Sequence, residues 1–209
     1  MYKVIKCIVV VALFMSSNVM GADVWRIGEN DNSSADLALG PSDYKKFLSK
    51  DFGYEDRYYL IGQSSPKTDF PYVLPGPADT WGGTWGTSGW RTHEVNILFG
   101  IKDIPATGPW KLYIDLVDSQ ADKSLVKVSV NNQSSKFLLK GKSNESIDGN
   151  VEAHFENILE IPVEAGVIRK GGNYVTITIL EGSWIVFDAV RLEGPEGVVL
   201  TTNGEGFIR

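Results

Sequence analysis

Cysteine and histidine are almost absent from this sequence, which contains one cysteine, Cys7, and two histidines, His93 and His154. Zinc centres draw on several cysteine or histidine ligands, so two histidines far apart in the chain do not supply one. A single cysteine also excludes a framework of disulfides within the chain. A Ser-His-Asp triad would have to use one of the two histidines, and the sequence lacks the Gly-x-Ser-x-Gly motif that exposes a nucleophilic serine.

Long hydrophobic runs are missing too. The apolar run at residues 8–15 follows two lysines and precedes small and polar residues that end at Gly21 and Ala22. A membrane-spanning helix needs about 20 apolar residues, whereas this arrangement is typical of a secretory signal peptide cleaved after a small residue. We therefore predict a signal peptide at residues 1–21 and an exported protein, periplasmic or extracellular. Its removal would take away the single cysteine.

Positive charge is in the minority, with 20 lysines and arginines against 26 acidic residues and a net charge of −6. Nucleic acids and anionic membranes bind proteins through clusters of basic residues. Because the sequence shows no basic stripe, we predict that the protein neither binds nucleic acid nor inserts into a membrane. A polyanionic pectin chain would need local arginine or lysine, a bridging cation, or neutral sugars for recognition.

Prolines and glycines are concentrated in the segment at residues 69–90, DFPYVLPGPADTWGGTWGTSGW, which also holds three of the six tryptophans. We expect no regular structure there. Flat aromatic rings edged by polar groups suit a sugar, since the rings stack on its C–H face while its hydroxyls form hydrogen bonds. The predicted carbohydrate-binding residues are Trp81, Trp85, Trp90, Arg91, His93, Asp69, Asp79 and Tyr72. The alternative is that the tryptophans close one end of a core and that the charges are solvated.

Catalytic chemistry has little support. A glycosidase needs two carboxylates roughly 5 to 10 Å apart across a cleft, and a chain with 26 acidic residues offers many pairs, such as Glu181 with Asp188. Asp188 lies in an apolar strand pattern, where a hydrogen bond to a turn or to the backbone is its expected use. A lyase would need a base with a metal or an arginine clamp, and His93 with Arg91 is the compact candidate. We predict no catalytic residue in this chain alone.

A calcium site is the one metal site that the sequence leaves open. Glu29 and Asp31, with Asp36 nearby, offer the hard oxygen ligands that calcium prefers. The segment lacks the Asp-x-Asp-x-Asp-Gly pattern, and a turn rich in asparagine and aspartate explains the same residues without an ion. We predict no cofactor apart from this possible structural calcium.

Short strands account for most of the chain. Apolar and polar residues alternate over 111–116 and 126–131, which is the period of a half-buried strand. Similar runs, separated by turn residues, bring the number of strands to about eight; they lie at 58–61, 95–101, 136–139, 155–163, 174–180 and 184–192. Many short strands without a helical period indicate an all-β fold, and we predict a jelly-roll β-sandwich like that of carbohydrate-binding modules.

The chain divides into three predicted segments: the signal peptide, a sandwich domain at 22–194, and at 195–209 a linker or the start of a following domain. The boundary is placed where a strand ends at Gly194 and Pro195. Three tryptophans at strand starts or within apolar runs, Trp25, Trp110 and Trp184, are predicted to lie in the core. One helix is predicted at 42–48.

Segments along the whole chain resemble one known module. They are WRIGEND at 25–31, the tryptophan-rich segment followed by 93–99, GPWKL at 108–112, VSVN at 128–131, IPV at 161–163, GGN at 171–173 and IVFDAVRLE at 185–193. In order and spacing they are similar to the carbohydrate-binding-like third domain of rhamnogalacturonan lyases, polysaccharide lyase family four, as found in exported glycan-degrading enzymes of Bacteroidetes. The resemblance covers nearly all of 23–194.

This resemblance implies a jelly-roll sandwich that binds or positions pectin-type sugar chains. In that family the lyase chemistry belongs to a separate N-terminal sandwich, to which nothing in this sequence corresponds, so lyase activity is not carried over. Three functions stay open: a non-catalytic module that recognises rhamnogalacturonan, an ancillary domain that completes the cleft of a lyase or glycoside hydrolase, and a structural spacer. The partners implied are a polysaccharide and the catalytic domain of a larger enzyme.

Overall fold

The computed structural model of this chain describes residues 21–41, 56–78, 93–105, 108–121, 123–142, 149–150, 152 and 154–201. Within them lie eleven strands and one four-residue helix. Their bounds are β1 Ala22–Ile27, β2 Arg57–Leu60, α1 Pro66–Asp69, β3 Val73–Pro75, β4 Glu94–Asp103, β5 Trp110–Ser119, β6 Ser124–Val130, β7 Gln133–Leu139, β8 Asn157–Val163, β9 Gly171–Glu181, β10 Trp184–Gly194 and β11 Val199–Leu200. None of the helices in this described part has the length and apolar character needed to cross a bilayer.

The strands form two sheets. The first sheet has the order β1-β10-β5-β8, with β3 also paired to β10, and the second has the order β11-β4-β9-β6-β7, with β2 also paired to β4. The β2–β4 pair is parallel, and the other strand pairs are antiparallel. This arrangement confirms the predicted all-β sandwich.

The core lies between the two sheets because each contributes one apolar face. In β6 the residues at 124, 126, 128 and 130 are buried while those between them are partly exposed, as alternation in a half-buried strand requires. Trp25 of the first sheet contacts Phe99 of the second, with ring centroids 5.4 Å apart. Fully burying an aliphatic side chain contributes roughly 1.5 to 3 kcal/mol, so this shared cluster is the main source of stability.

The three tryptophans predicted to be in the core are buried: Trp25 is 5% exposed, Trp110 7% and Trp184 4%. Trp184 begins β10, the central strand of the first sheet, whose residues are buried without alternation from 184 to 190. A continuous apolar run is what a strand covered on both sides needs. On its outer side β10 is covered by the loop that follows β1, since three backbone N–H groups of that loop reach Asp188.

Three short elements differ from the sequence expectations. Within the segment expected to have no regular structure, Val73–Pro75 form β3, which is held by pairing with β10. The helix α1 begins with Pro66, a favourable first helical residue, and the helix predicted at 42–48 lies outside the described residues. The boundary predicted after Gly194 coincides with the end of β10, yet β11 then pairs with β4, so the sandwich continues to Thr201.

Candidate functional site

Three residues of the predicted carbohydrate surface are described, and they have structural contacts. Tyr72 is 0% exposed and His93 is 2% exposed, so neither ring lies at the surface of this structure. The backbone of Tyr72 is bonded on two sides, accepting from the N–H of Phe187 and donating to the carbonyl of Ala38. The carboxylate of Asp69 accepts the N–H of Ser65 at 2.7 Å at the start of α1. Asp79, Trp81, Trp85, Trp90 and Arg91 lie outside the described residues and stay a prediction.

The two attachment points of the segment at 79–92 lie at one end of the sandwich. Before it, the N–H of Ala78 donates to the carbonyl of Gly182 at 3.0 Å, in the turn between β9 and β10. After it, β4 begins at Glu94, which is paired with Thr178 of β9. Since Thr178 and Gly182 are close in the same strand and turn, the chain leaves and rejoins the sandwich at this end of the second sheet.

The outer face of the second sheet carries exposed aromatic rings and polar groups, and we call it the tyrosine face. It consists of the outward-facing residues of β2, β4, β9, β6 and β7, namely Tyr58, Leu60, Glu94, Asn96, Leu98, Tyr174, Thr176, Thr178, Leu125, Lys127, Ser129, Ser134, Lys136 and Leu138. In β2, β4, β6 and β9 they alternate with buried residues, and in β7 with half-buried ones. Thr178 is the exception on this face, since it is itself buried. The alternation that builds the core therefore also builds this surface, on which polar residues, two tyrosines and several leucines lie side by side.

One row of residues crosses the tyrosine face from strand to strand. Tyr58 is in register with Asn96, Asn96 with Thr176, Thr176 with Ser129, and Ser129 with Ser134. The hydroxyl of Thr176 donates to the amide oxygen of Asn96 at 2.7 Å. Among the described residues, none accepts a hydrogen bond from the Asn96 N–H groups. The row thus presents hydroxyl and amide groups that can bond the hydroxyls of a sugar.

Two exposed aromatic rings lie on this face. Tyr58 is 59% exposed and Tyr174 is 40% exposed. Tyr174 pairs with Leu98, one row along from Tyr58 and two strands away. With strand spacing near 4.8 Å and a rise near 3.3 Å per residue, their Cα atoms are about 12 Å apart. One sugar ring does not cover both tyrosines, so a ligand that uses both is an oligosaccharide.

The outer face of the first sheet is different because its charges are paired with one another. Lys111 meets Glu160 at 3.0 Å, and Arg191 pairs with Glu193 and, at 3.5 Å, with Asp23. The Arg191 guanidinium lies 3.8 Å from the ring centre of Tyr113, covering one side of this ring. A depression of about 350 Å³ beside Tyr113 is lined by Gly21, Pro109, Trp110, Lys111, Pro162 and Glu193. This face offers a ligand one half-covered ring and few free polar groups.

The loop predicted to bind calcium is organised by Asp188. The Asp188 carboxylate, 1% exposed, accepts the N–H groups of Asp31, Asn32 and Ser33 at 3.3, 3.0 and 3.3 Å. This confirms that Asp188 serves a backbone turn. Burial raises the pKa of Asp188 to about 6, although these three hydrogen bonds oppose the change.

Next to this anchor, Asn30 donates to the carboxylate of Asp115 at 2.9 Å. The side chain of Glu29, in contrast, is 75% exposed, and Asp31 is also exposed. In the described ranges no three His, Cys, Asp or Glu side chains are grouped to hold a metal ion. The described hydrogen bonds hold this loop against β10 and β5, and the calcium site stays a prediction.

Sequence reasoning missed Tyr58 and Tyr174 as candidate site residues. For Tyr174 the signal was present, because Tyr174 and Thr176 alternate with the buried apolar residues Val175 and Ile177 of β9. A tyrosine on the polar phase of a strand is predicted to face solvent.

Comparison with known families places the chain among glycan-related domains. The family model described as CBM-like, polysaccharide lyase family 4, domain III, matches residues 23–192. No curated protein matches the chain.

Several solved structures are similar to parts of it. A family 35 carbohydrate-binding module from an environmental isolate is 11% identical with a TM-score of 0.38, over 85% of this chain and 98% of that one. A family GH115 4-O-methyl-alpha-glucuronidase with specificity for decorated arabinogalactans is 19% identical with a TM-score of 0.30, over 50% of this chain and 14% of that one. The cycloalternan-forming enzyme from Listeria monocytogenes is 14% identical with a TM-score of 0.35, over 64% and 10%. The chain thus spans a small part of these two enzymes.

Proposed function

Because the chain belongs to the CBM-like family of polysaccharide lyase family 4, domain III, we propose that it is a non-catalytic glycan-binding module whose binding surface is the tyrosine face. One observation carries the choice of surface. Two exposed tyrosines lie on a regular sheet, Tyr58 at one end of a row of hydroxyl and amide groups and Tyr174 in the adjacent row. Sugars need both kinds of group, because their C–H faces stack on rings while their hydroxyls form hydrogen bonds.

The proposal extends to the glycan and to the protein's setting. We propose that the ligand is a pectin-type plant polysaccharide, rhamnogalacturonan, and that the module belongs to an exported polysaccharide-degrading system with a separate catalytic domain. The family membership supports the polysaccharide and the catalytic partner. The charged and apolar pattern of residues 1–21 supports export.

The tryptophan-rich segment belongs to the same proposal. Its attachment points, Ala78 and His93, lie at the end of the tyrosine face that carries Glu94 and Thr178. Trp81, Trp85, Trp90, Arg91 and Asp79 are therefore proposed to extend the binding surface beyond the sheet.

The expected affinity is low for a short ligand. Each stacked ring contributes about 1 kcal/mol, taken from aromatic pairs, and each hydrogen bond about another 1 kcal/mol. Two rings and two hydrogen bonds then give about 4 kcal/mol, which corresponds to a Kd near 1 mM. A polymer that occupies several surfaces at once binds more tightly by avidity.

The test is affinity electrophoresis of the full chain in native gels containing rhamnogalacturonan, with titration of its oligosaccharides by calorimetry. We expect Tyr58→Ala and Tyr174→Ala each to weaken binding about fivefold, which corresponds to the loss of about 1 kcal/mol. Phe155→Ala is the matched control, because Phe155 is 47% exposed and lies outside the tyrosine face. Thermal unfolding of each variant verifies that it is folded.

The proposal is supported if the gel retards the unaltered chain and the Phe155→Ala variant equally, and retards both tyrosine variants less. Unchanged retardation in both tyrosine variants refutes the tyrosine face as the site. If the unaltered chain is not retarded by any glycan, the binding function itself is refuted, and a structural spacer or ancillary domain is the better interpretation.

A further inference from the structure

A basic hairpin stands out from this acidic chain. Strands β6 and β7 and the residues next to them, 123–142, contain five lysines and no acidic residue, whereas the chain has a net charge of −6. The nearest acidic residues in the sequence, Asp122 and Glu145, lie outside the described residues. The net charge of the whole chain conceals this local excess of positive charge.

The hairpin places lysines side by side. Lys127 of β6 lies directly opposite Lys136 of β7, and both side chains belong to the tyrosine face. At the open end of the hairpin the last pair in register is Ser124 with Leu139. Lys123 and Lys140 are the next residues beyond this pair, one next to each strand, and form a second pair of lysines. Like charges directly opposite each other on neighbouring strands are destabilising, so an unneutralised lysine pair costs stability.

Carboxylates of the protein do not compensate this pair in the described structure. No ion pair or side-chain hydrogen bond of Lys127 or Lys136 with a described residue occurs. Of the two nearest acidic residues across β9, Glu94 accepts the hydroxyl of Thr178 at 3.2 Å, and Glu181 is exposed beside Leu125. The charge of the lysine pair is therefore available to an external anion.

Protection of a sheet edge explains only part of this arrangement. Lysines on an edge strand oppose unwanted pairing with another sheet, and β7 is the edge of the second sheet. Lys127, however, is in β6, between β7 and β9, where edge protection does not apply. Between the two lysine pairs lie Leu125 and Leu138, of which Leu138 is 60% exposed, so apolar surface adjoins the cations.

We propose that Lys127 and Lys136 bind the carboxylate of a uronic acid residue in the glycan, so that the tyrosine face selects polysaccharides that carry uronates. This inference rests on the proposed function, because it assigns a charged subsite to the same surface. Ser129 and Ser134, in the adjacent row, supply hydroxyl groups for the same sugar. A free ammonium beside a carboxylate forms a charge-assisted hydrogen bond. The neighbouring leucines Leu125 and Leu138 provide an apolar contact for the C–H face of the sugar ring.

The experiment compares three polymers by affinity electrophoresis of the full chain: polygalacturonate, a neutral galactan and double-stranded DNA. The test variant is Lys127→Gln with Lys136→Gln. The control variant is Lys102→Gln with Lys170→Gln, which removes the same charge at exposed positions outside the hairpin, Lys170 being paired with Asp103. Thermal unfolding verifies the folding of both.

We expect the test variant to bind polygalacturonate about tenfold more weakly, because two exposed charge contacts together give about a factor of ten. We also expect unchanged binding of galactan and little effect of the control variant. Higher salt should weaken the binding of polygalacturonate and not that of galactan.

Equal binding of polygalacturonate by the test variant and the unaltered chain would overturn the inference. So would DNA binding as tight as that of polygalacturonate, since the hairpin would then be an unspecific polyanion surface. Binding of galactan without binding of polygalacturonate overturns this inference and leaves the proposed function intact. Binding of none of the glycans refutes both.

Discussion

Removal of the Asp188 carboxylate tests the account of the loop between β1 and β2. Asp188 lies where the pairing of β10 with β5 is irregular, between Phe187 and Ala189, and its carboxylate accepts three N–H groups from Asp31 to Ser33. Asp188→Ala removes both carboxylate oxygens and with them all three hydrogen bonds. A hydrogen bond to a charged group contributes about 1.5 to 3 kcal/mol, but the loop N–H groups regain water, so we expect a loss of about 2 to 4 kcal/mol in the free energy of unfolding.

The pH dependence gives a second, independent measure. The pKa of Asp188 is raised from 3.8 to about 6 by burial, so between these values the folded protein holds a proton that the unfolded chain has released. Stability from this group is therefore highest below pH 4 and falls as the pH rises toward 6. A shift of about two pKa units corresponds to a fall of at most about 3 kcal/mol.

The assay is urea denaturation of the unaltered chain and of Asp188→Asn at several values between pH 4 and pH 7. Asparagine keeps the shape and one acceptor but does not titrate, so the stability difference between the two proteins isolates the Asp188 carboxyl group. We expect the unaltered chain to lose its advantage as the pH rises. A difference that stays constant, or that grows with pH, would refute a buried carboxylate of raised pKa. A loss below about 0.5 kcal/mol for Asp188→Ala would refute its role as the anchor of the loop.

Two further predictions concern left-handed backbone positions. Asn131 has a φ of 49°; its side chain donates to the Val167 carbonyl at 2.6 Å and accepts the Tyr174 N–H at 3.0 Å. We expect Asn131→Ala to lower the free energy of unfolding by about 3 kcal/mol. Asn131→Gly should lower it less, because glycine adopts a positive φ without strain. Equal losses by thermal unfolding would contradict this. Gly28 and Gly62 have φ of 78° and 84°; an added Cβ would meet the carbonyl of Asp188 at 2.4 Å for Gly28 but no atom within 4 Å for Gly62. Gly28→Ala should therefore destabilise the fold by at least about 2 kcal/mol and Gly62→Ala by about 1 kcal/mol. A larger loss for Gly62→Ala in thermal unfolding would contradict the close packing of Gly28 against Asp188.

The sequence predicts the longer strands well because one of their faces is buried. In β6 and β9 apolar residues alternate with polar ones, and in β10 a continuous apolar run indicates burial on both faces. These patterns are local, so they can be read without knowing which strands are neighbours. The short strands β3 and β11 have no such pattern, because each is held by pairing with a longer strand that is distant in sequence.

The candidate site is harder to predict from the sequence, for a related reason. The place of Tyr72 beside prolines and tryptophans predicts a surface position, yet its ring is buried, because the adjoining strand β3 pairs with β10. Tyr58 is not predicted from the sequence as a site residue, because a four-residue strand is too short to show which side of the sheet its tyrosine faces. Its significance comes from the pairing of β2 with β4, which brings it onto the same face as Tyr174.

The sequence by itself determined the all-β class, the family and the positions of the longer strands, because alternation, composition and the order of motifs are read directly from the chain. The tertiary structure decided which strands lie side by side and which of their two faces meets the other sheet. That choice depends on burying the apolar faces of both sheets against each other, an interaction between residues far apart in the chain. It therefore also decided that Tyr58, Tyr174 and Lys127 share one exposed surface.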